Sequence, residues 1–259
     1  MNTFQQTLSA LALSAAALGT AMATPVVKEY NTVGWNQADG VHNTVTAVGG
    51  MSYGGHVSSV ASLTGTDVLV AGQWDGAATS WVAAGGIYVI HDWGRGASQL
   101  PGLGGAGTTG FNHADINVID GASAIVNGPF GSINNNTLDG GNSSAHGAWL
   151  ASSLVSTDPL AGVIHAILSS TSASAVVMFE MNYGQGHILY ANIPLEAYTD
   201  SSPLVTGPQP AGLQIYARNE MAYVKGLLDG GNQVPEPGSA LLAMLALAGA
   251  AAARRKARA

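Results

Sequence analysis

Residues 67–91, DVLVAGQWDGAATSWVAAGGIYVIH, carry the clearest indication of the fold class. Asp67–Ala71 and Ile87–His91 are short apolar runs rich in β-branched residues, which is the composition of buried strands. Between them, Ala77–Ala84 suits a helix, and Gly85-Gly86 supplies its C-terminal stop. A strand, a short helix and a second strand in this order predict parallel pairing through a crossover. The stretch therefore predicts an α/β fold with a mostly parallel sheet.

The later part of the chain adds a hairpin and a long helix. Val176–Met181 and His187–Asn192 read as strands, and the five residues between them, two of which are glycines, favour a wide turn over a two-residue turn. Apolar residues then recur at three- and four-residue spacing, which predicts one buried face of a helix. These residues are Leu213, Tyr216, Ala217, Met221, Val224 and Leu228.

Other segments have weaker patterns. Strands are predicted at Ile116–Ile119 and Gly162–Leu168, and helices near Ser58–Leu63 and at His146–Leu154. The glycine- and asparagine-rich stretches Asp92–Asn112 and Ile133–Ser144 are expected to form long surface loops.

Three segments resemble the glutamine-amidotransferase-like family, whose fold is a flavodoxin-like α/β sandwich. They are Trp81–His91, where a helix ends in Gly-Gly before a strand, Tyr183–Tyr190, where a hairpin carries a Tyr-Gly-x-Gly turn, and the last helix with Asn219. The catalytic pattern is absent from this sequence. The chain has no cysteine to act as a nucleophile, and residues 193–196, Ile-Pro-Leu-Glu, stand where the family has His-x-Glu. No catalytic residue of that family carries over.

Acidic and imidazole side chains follow the predicted strands and form a candidate pocket. His91, Asp92, His113 and Asp115 are its members, and Asp120 lies close behind them in the sequence. Ligand sites of open α/β sheets lie at the carboxyl ends of strands, so these residues could act as acid and base. The alternative is that His91 and Asp92 only hydrogen-bond loop amides at a strand end. Their spacing matches no metal motif, and we predict neither a metal nor a cofactor.

The five tryptophans allow a second kind of site. Aromatic rings bury a large area against sugar faces, and Trp74 and Trp93, on glycine-flanked turns, are the better candidates for exposed contacts. The other tryptophans are expected to anchor the core or the loops.

Charge and cysteine content exclude several classes of function. Residues 24–237 hold four basic and fifteen acidic side chains, a formal charge of −11. Such a surface repels phosphates, so nucleic-acid binding is not expected. The absence of cysteine excludes disulfides and thiol chemistry.

The last residues of the chain have three consecutive parts. Val234, Pro235, Glu236 and Pro237 form a Pro-Glu-Pro element, residues 238–253 are uncharged and apolar, and a basic tail follows. The basic residues of that tail are Arg254, Arg255, Lys256 and Arg258. As a helix the apolar part would be roughly 24 Å long, which spans a bilayer only marginally. The basic tail predicts a cytoplasmic C-terminus.

This arrangement resembles the PEP-CTERM sorting signal of Gram-negative bacteria. The resemblance implies recognition and cleavage by an exosortase, a transient stay in the inner membrane, and delivery to the cell surface or extracellular matrix. An unprocessed C-terminal membrane anchor is the alternative.

The N-terminus predicts export as well. Residues 8–18 are apolar, and Ala21-Met22-Ala23 fits a signal-peptidase site that would make Thr24 the first mature residue. The segment before them has no Lys or Arg, which departs from the usual pattern. The expected organisation is a signal peptide at 1–23, a globular domain at 24–232 and a sorting signal at 233–259.

Two functions remain open on the sequence alone. The first is a noncatalytic surface or matrix protein that acts by display or binding, with exopolysaccharide as a partner. The second is an exported hydrolase that uses the His and Asp residues at the strand ends.

Overall fold

The computed structural model describes residues 23–30, 40–92, 99–140, 144–193 and 212–230. The strands there are β1 Val26–Tyr30, β2 Ser52–Val57, β3 Val68–Ala71, β4 Ile87–His91, β5 Thr108–His113, β6 Asn117–Val118, β7 Asn127–Gly128, β8 Gly131–Ser132, β9 Ala145–Leu150, β10 His165–Ser169, β11 Ala175–Tyr183 and β12 Gly186–Ala191. The helices are α1 Gly40–Val48, α2 Thr79–Ala83 and α3 Gly212–Asp229. The predicted N- and C-terminal hydrophobic helices lie outside these residues.

Ten of the strands form one mixed sheet, and β7 pairs only with β8. Five neighbouring strands are parallel, in the order β2-β1-β3-β4-β12. The sheet continues through β11, β10 and β6 with antiparallel pairing, and β9 and β5 branch from β11. The α/β class is therefore confirmed, with a parallel part that includes the two strands of residues 67–91.

The sheet separates two apolar layers. α1 and α3 cover one face and form the first core, which contains Val45, Tyr216 and Met221. α2 and the loops cover the other face and form the second core, which contains Val82 and Trp149. Because both faces are covered, β3, β4 and β12 are buried along their whole length, which explains their continuous apolar sequences.

The hairpin between β11 and β12 is tighter than the sequence suggested. Tyr183 pairs directly with Gly186, so the turn consists of two residues, and Gly184 has a φ of +61°. The Gln185 N–H donates to Ala83 O at 2.9 Å, at the end of α2. Since the last carbonyls of a helix have no partner within the helix, the tight turn supplies a donor that a wider loop would not place there.

Three other predictions are wrong. Residues 146–150, predicted as helix, belong to strand β9, because pairing with β5 and β11 buries Trp149 in the second core. Residues 58–63 contain turns instead of a helix, although Val60 and Leu63 still pack in that core. Residues 108–112, expected to be loop, form most of β5.

The glycine-rich segment before β5 is also less exposed than expected. Leu100 and Leu103 are buried in the second core, so the described part of this segment is anchored to the body. Among the described residues, no helix combines the length and apolarity needed to cross a membrane.

Candidate functional site

His91 and Asp92, the centre of the predicted pocket, lie on opposite faces of the sheet. Side chains alternate along a strand, and in β4 Val89 faces the first core while Ile90 faces the second. Continuing this alternation, the His91 side chain contacts α3, and the Asp92 side chain contacts Tyr190 of the second core. The two residues are adjacent in sequence but do not share one pocket.

His91 is buried in a hydrogen-bonded cluster under α3. Its Nδ1 donates to Ile193 O at 3.0 Å, and its Nε2 lies 2.9 Å from Glu220 Oε2, so that a proton lies between ring and carboxylate. The Tyr216 hydroxyl donates to Glu220 Oε1 at 2.8 Å, and burial raises the pKa of Tyr216 well above its ordinary value. Both side chains of the His91–Glu220 pair are almost fully shielded from water. This environment suits a structural link between β4 and α3.

Asp92 closes the end of β4 on the other face. Its N–H donates to Ala191 O at 2.8 Å, and its carbonyl accepts from Asn192 Nδ2 at 2.9 Å. Its carboxylate accepts from the Tyr190 hydroxyl at 2.8 Å. Burial, and next the nearby Asp92 charge, raise the pKa of Tyr190 well above its ordinary value. The backbone and the side chain of Asp92 thus both hold the end of β4 against residues 190–192.

The other two predicted residues have different surroundings. The His113 Nε2 lies 3.3 Å from Thr109 O within β5, and Asp115 is exposed. Within the described ranges, no three histidine, cysteine or carboxylate side chains are arranged to hold a metal ion.

A cluster around Glu180 on β11 was not predicted from the sequence. The Glu180 carboxylate accepts from Tyr223 OH at 2.7 Å, from His187 Nε2 at 3.0 Å and from His165 Nδ1 at 3.2 Å. His165 Nε2 also lies 3.3 Å from Asp120 Oδ2. Burial alone would raise the pKa of Glu180, but the bonds from His187, Tyr223 and His165 together lower it. The carboxylate is thus held ionised, and it ties β10, β12 and α3 to β11.

A weak sequence signal for this cluster exists. Glu180 interrupts an otherwise apolar strand, and such a charge needs a partner once it is buried. Its partners are 7, 15 and 43 positions away in sequence, so only the sheet pairing and the packing of α3 show which they are.

The aromatic residues serve mainly the second core. Trp74 is 5% exposed, and its ring lies 5.1 Å from that of Tyr88, so its predicted role as an exposed sugar contact is wrong. Trp149 is buried against Tyr190. Trp93 lies outside the described residues.

His146 is expected to make the stability of the body depend on pH. Burial lowers the pKa of His146 to about 3, whereas an unfolded histidine titrates near pH ~6.5. Between these values only the unfolded chain binds the proton, so stability falls as the pH falls through this window. From pH 7 to 5 the loss is about 2 kcal/mol from this residue. His146→Gln should remove most of it, as measured by urea unfolding at both pH values. If the pH dependence of stability were unchanged in His146→Gln, His146 would not be its cause. The pKa of Glu180 is lowered, so Glu180 contributes to the pH dependence of stability only below the interval from pH 7 to 5.

The Pro-Glu-Pro element and the segments after it are similar to a known family of sorting motifs. Residues 233–256 match the PEP-CTERM protein-sorting motif. The chain carries a PEP-CTERM sorting signal. The PEP-CTERM match includes Val234, Pro235, Glu236 and Pro237 and the basic residues Arg254, Arg255 and Lys256. It indicates a protein that is processed by an exosortase and exported to the cell envelope or surface.

Comparisons of the body are less informative. No curated protein matches the chain. A solved structure described as PurLQS from Thermotoga maritima is similar over 79% of this chain and 99% of that one, at 9% identity and a TM-score of 0.38. A similarity of this size assigns no activity to the body.

Proposed function

We propose that this PEP-CTERM protein is displayed at the cell surface or in the extracellular matrix after exosortase processing, and acts there by noncatalytic binding, with extracellular polysaccharide as its partner. The observation that carries the proposal is the sorting motif at residues 233–256. Signal peptidase would first remove residues 1–23 after Ala21-Met22-Ala23, and the inner membrane of a Gram-negative cell would hold the chain only transiently.

The surroundings of His91 and Asp92 argue against a hydrolase that uses these two residues. A hydrolase built on these residues needs at least one of them within hydrogen-bond reach of a substrate. Both are buried, and their side chains contact Glu220 and Tyr190 on opposite faces of the sheet. This arrangement favours a stable scaffold over a reaction centre.

For the scaffold itself we propose a flavodoxin-like, amidotransferase-like origin without the catalytic cysteine. Numbered in chain order, the five parallel strands lie in the order 2-1-3-4-5, which is the flavodoxin-like order. The two glycine motifs that carry the resemblance contact each other where the Gly184-Gln185 turn meets the end of α2.

The sorting signal can be tested with one substitution. Glu236→Ala should leave the chain in the membrane fraction of its native host, because the motif is altered while the body is unchanged. Asp229→Ala, an exposed carboxylate at the end of α3, is the matched control and should be delivered normally. Cell fractionation with an antibody against the body measures both. Normal delivery of the Glu236→Ala chain would contradict the proposal.

A further inference from the structure

An open cleft of about 420 Å³ lies beside the β7–β8 hairpin, between that hairpin and β6. Four asparagines line it: Asn127, Asn134, Asn135 and Asn136. All four are exposed, and each carboxamide has two N–H donors and one acceptor oxygen. Asn127 Nδ2 donates to Gly121 O, and Asn134 Oδ1 accepts from the Asn136 N–H, so the remaining carboxamide groups of the rim are the ones that can hydrogen-bond a ligand.

The floor of the cleft is apolar. The half-buried Val118 gives the cleft an apolar surface, and Val126 and Ile133, which are 1% and 4% exposed, support it from the first core. An apolar floor under a rim of amides suits a ligand with C–H groups on one face and hydroxyls at its edges. Sugar rings have this distribution of groups.

The cleft is held in shape by hydrogen bonds to the body. Asn135 Oδ1 accepts from the Val118 N–H at 2.9 Å, which fixes the asparagine segment to β6 and leaves the Nδ2 hydrogens for a ligand. On the hairpin side, Asn219 of α3 accepts from the Phe130 N–H and donates to Ile125 O and Gly131 O. A site ordered before binding loses less conformational entropy when the ligand arrives.

The charge around the cleft distinguishes between ligands. None of its lining residues is ionisable, and Asp120, which precedes the lining residue Gly121 in the chain, is paired with His165. An anionic ligand would lose hydration without gaining a counter-charge, and the acidic body would repel it. A neutral ligand meets neither cost.

We propose that this cleft binds a short segment of an uncharged polysaccharide. The inference rests on the proposed binding function and names its site and the class of its ligand.

The test uses the full chain in detergent and fluorescently labelled hexasaccharides of neutral glucan, galactan and mannan, with hexagalacturonate as the anionic probe. Equilibrium dialysis measures affinity, and hydrogen exchange locates the protected peptides. At least one neutral probe should bind and protect residues 117–137, and hexagalacturonate should bind at least tenfold more weakly. Asn136→Ala should weaken binding about fivefold, which corresponds to one hydrogen bond. Asn182→Ala, an exposed asparagine on β11, should leave affinity unchanged.

Each contrary result overturns the site. The first is that no neutral hexasaccharide binds at 10 mM, roughly the weak limit of useful affinity. The second is that the protected peptides lie outside residues 117–137. The third is an unchanged affinity in Asn136→Ala, and the fourth is a preference for hexagalacturonate. A neutral probe that binds elsewhere on the body would overturn the cleft and leave the proposed binding function standing. If the chain binds a neutral probe at the cleft but is not delivered to the surface, the cleft stands as a binding site and the proposed function at the surface is overturned.

Discussion

Replacing His91 by leucine is expected to lower the free energy of unfolding by about 3–5 kcal/mol. The substitution removes the ring whose Nε2 lies 2.9 Å from Glu220 Oε2, and it leaves that carboxylate buried with the Tyr216 hydroxyl as a remaining donor. A buried charge that has lost its partner costs more than the pair contributed. Urea unfolding followed by circular dichroism measures the loss.

Two companion variants make this prediction specific. His91→Leu combined with Glu220→Leu also removes the unpaired carboxylate, so it should recover part of the stability lost in the single variant. The recovery is incomplete because the Tyr216 hydroxyl then has only Met178 Sδ, at 3.5 Å, and Ile193 O loses its donor. His113→Leu changes the histidine that the sequence grouped with His91, but at a half-buried position of the largely exposed strand β5, and should cost less than about 1 kcal/mol. If His91→Leu cost no more than His113→Leu, the buried pair would not be the link between β4 and α3.

Gly186→Ala is expected to cost at least about 3 kcal/mol, at the upper end of the overpacking range. A Cβ at this position would lie 2.0 Å from Val82 O and 2.3 Å from Gly86 O, and both of these atoms belong to the backbone. Neither can swing away as a flexible side chain could. The hairpin turn would have to separate from the end of α2, with loss of the bond from Gln185 N–H to Ala83 O.

Gly226→Ala is the matched control for this change. Gly226 lies within α3, and a Cβ there would meet nothing within 4 Å. Since alanine is the better helix former, stability should rise by about 0.5–1 kcal/mol. Thermal unfolding of the two variants should therefore shift in opposite directions. Equal shifts would show that the turn does not depend on close approach to α2.

The sequence predicted those parts of the fold whose pattern is local. Residues 67–91 predicted the two parallel strands and α2, and the apolar spacing from Leu213 to Leu228 predicted α3, because burial imposes a period that can be read directly. The helix predicted at residues 146–154 is wrong. Alanine, leucine and serine there tolerate a helix, but pairing with β5 and β11 decides the structure. Such pairing depends on residues distant in the sequence.

The candidate site shows the same limit. The sequence indicated that His91 and Asp92 lie at the end of a strand. Which layer each side chain faces depends on how α3 and the second core cover the sheet. Glu180 was missed because its three donors come from β10, β12 and α3. The sorting signal needed no folded context, since its three parts are contiguous in the chain.

The most direct test of surface sorting is the intact mass of the protein isolated from the surface of its native host. A chain that begins at Thr24 and ends near Pro237, without the apolar segment and the basic tail, is the result that exosortase processing predicts. A mass that still includes every residue through Ala259 would contradict it.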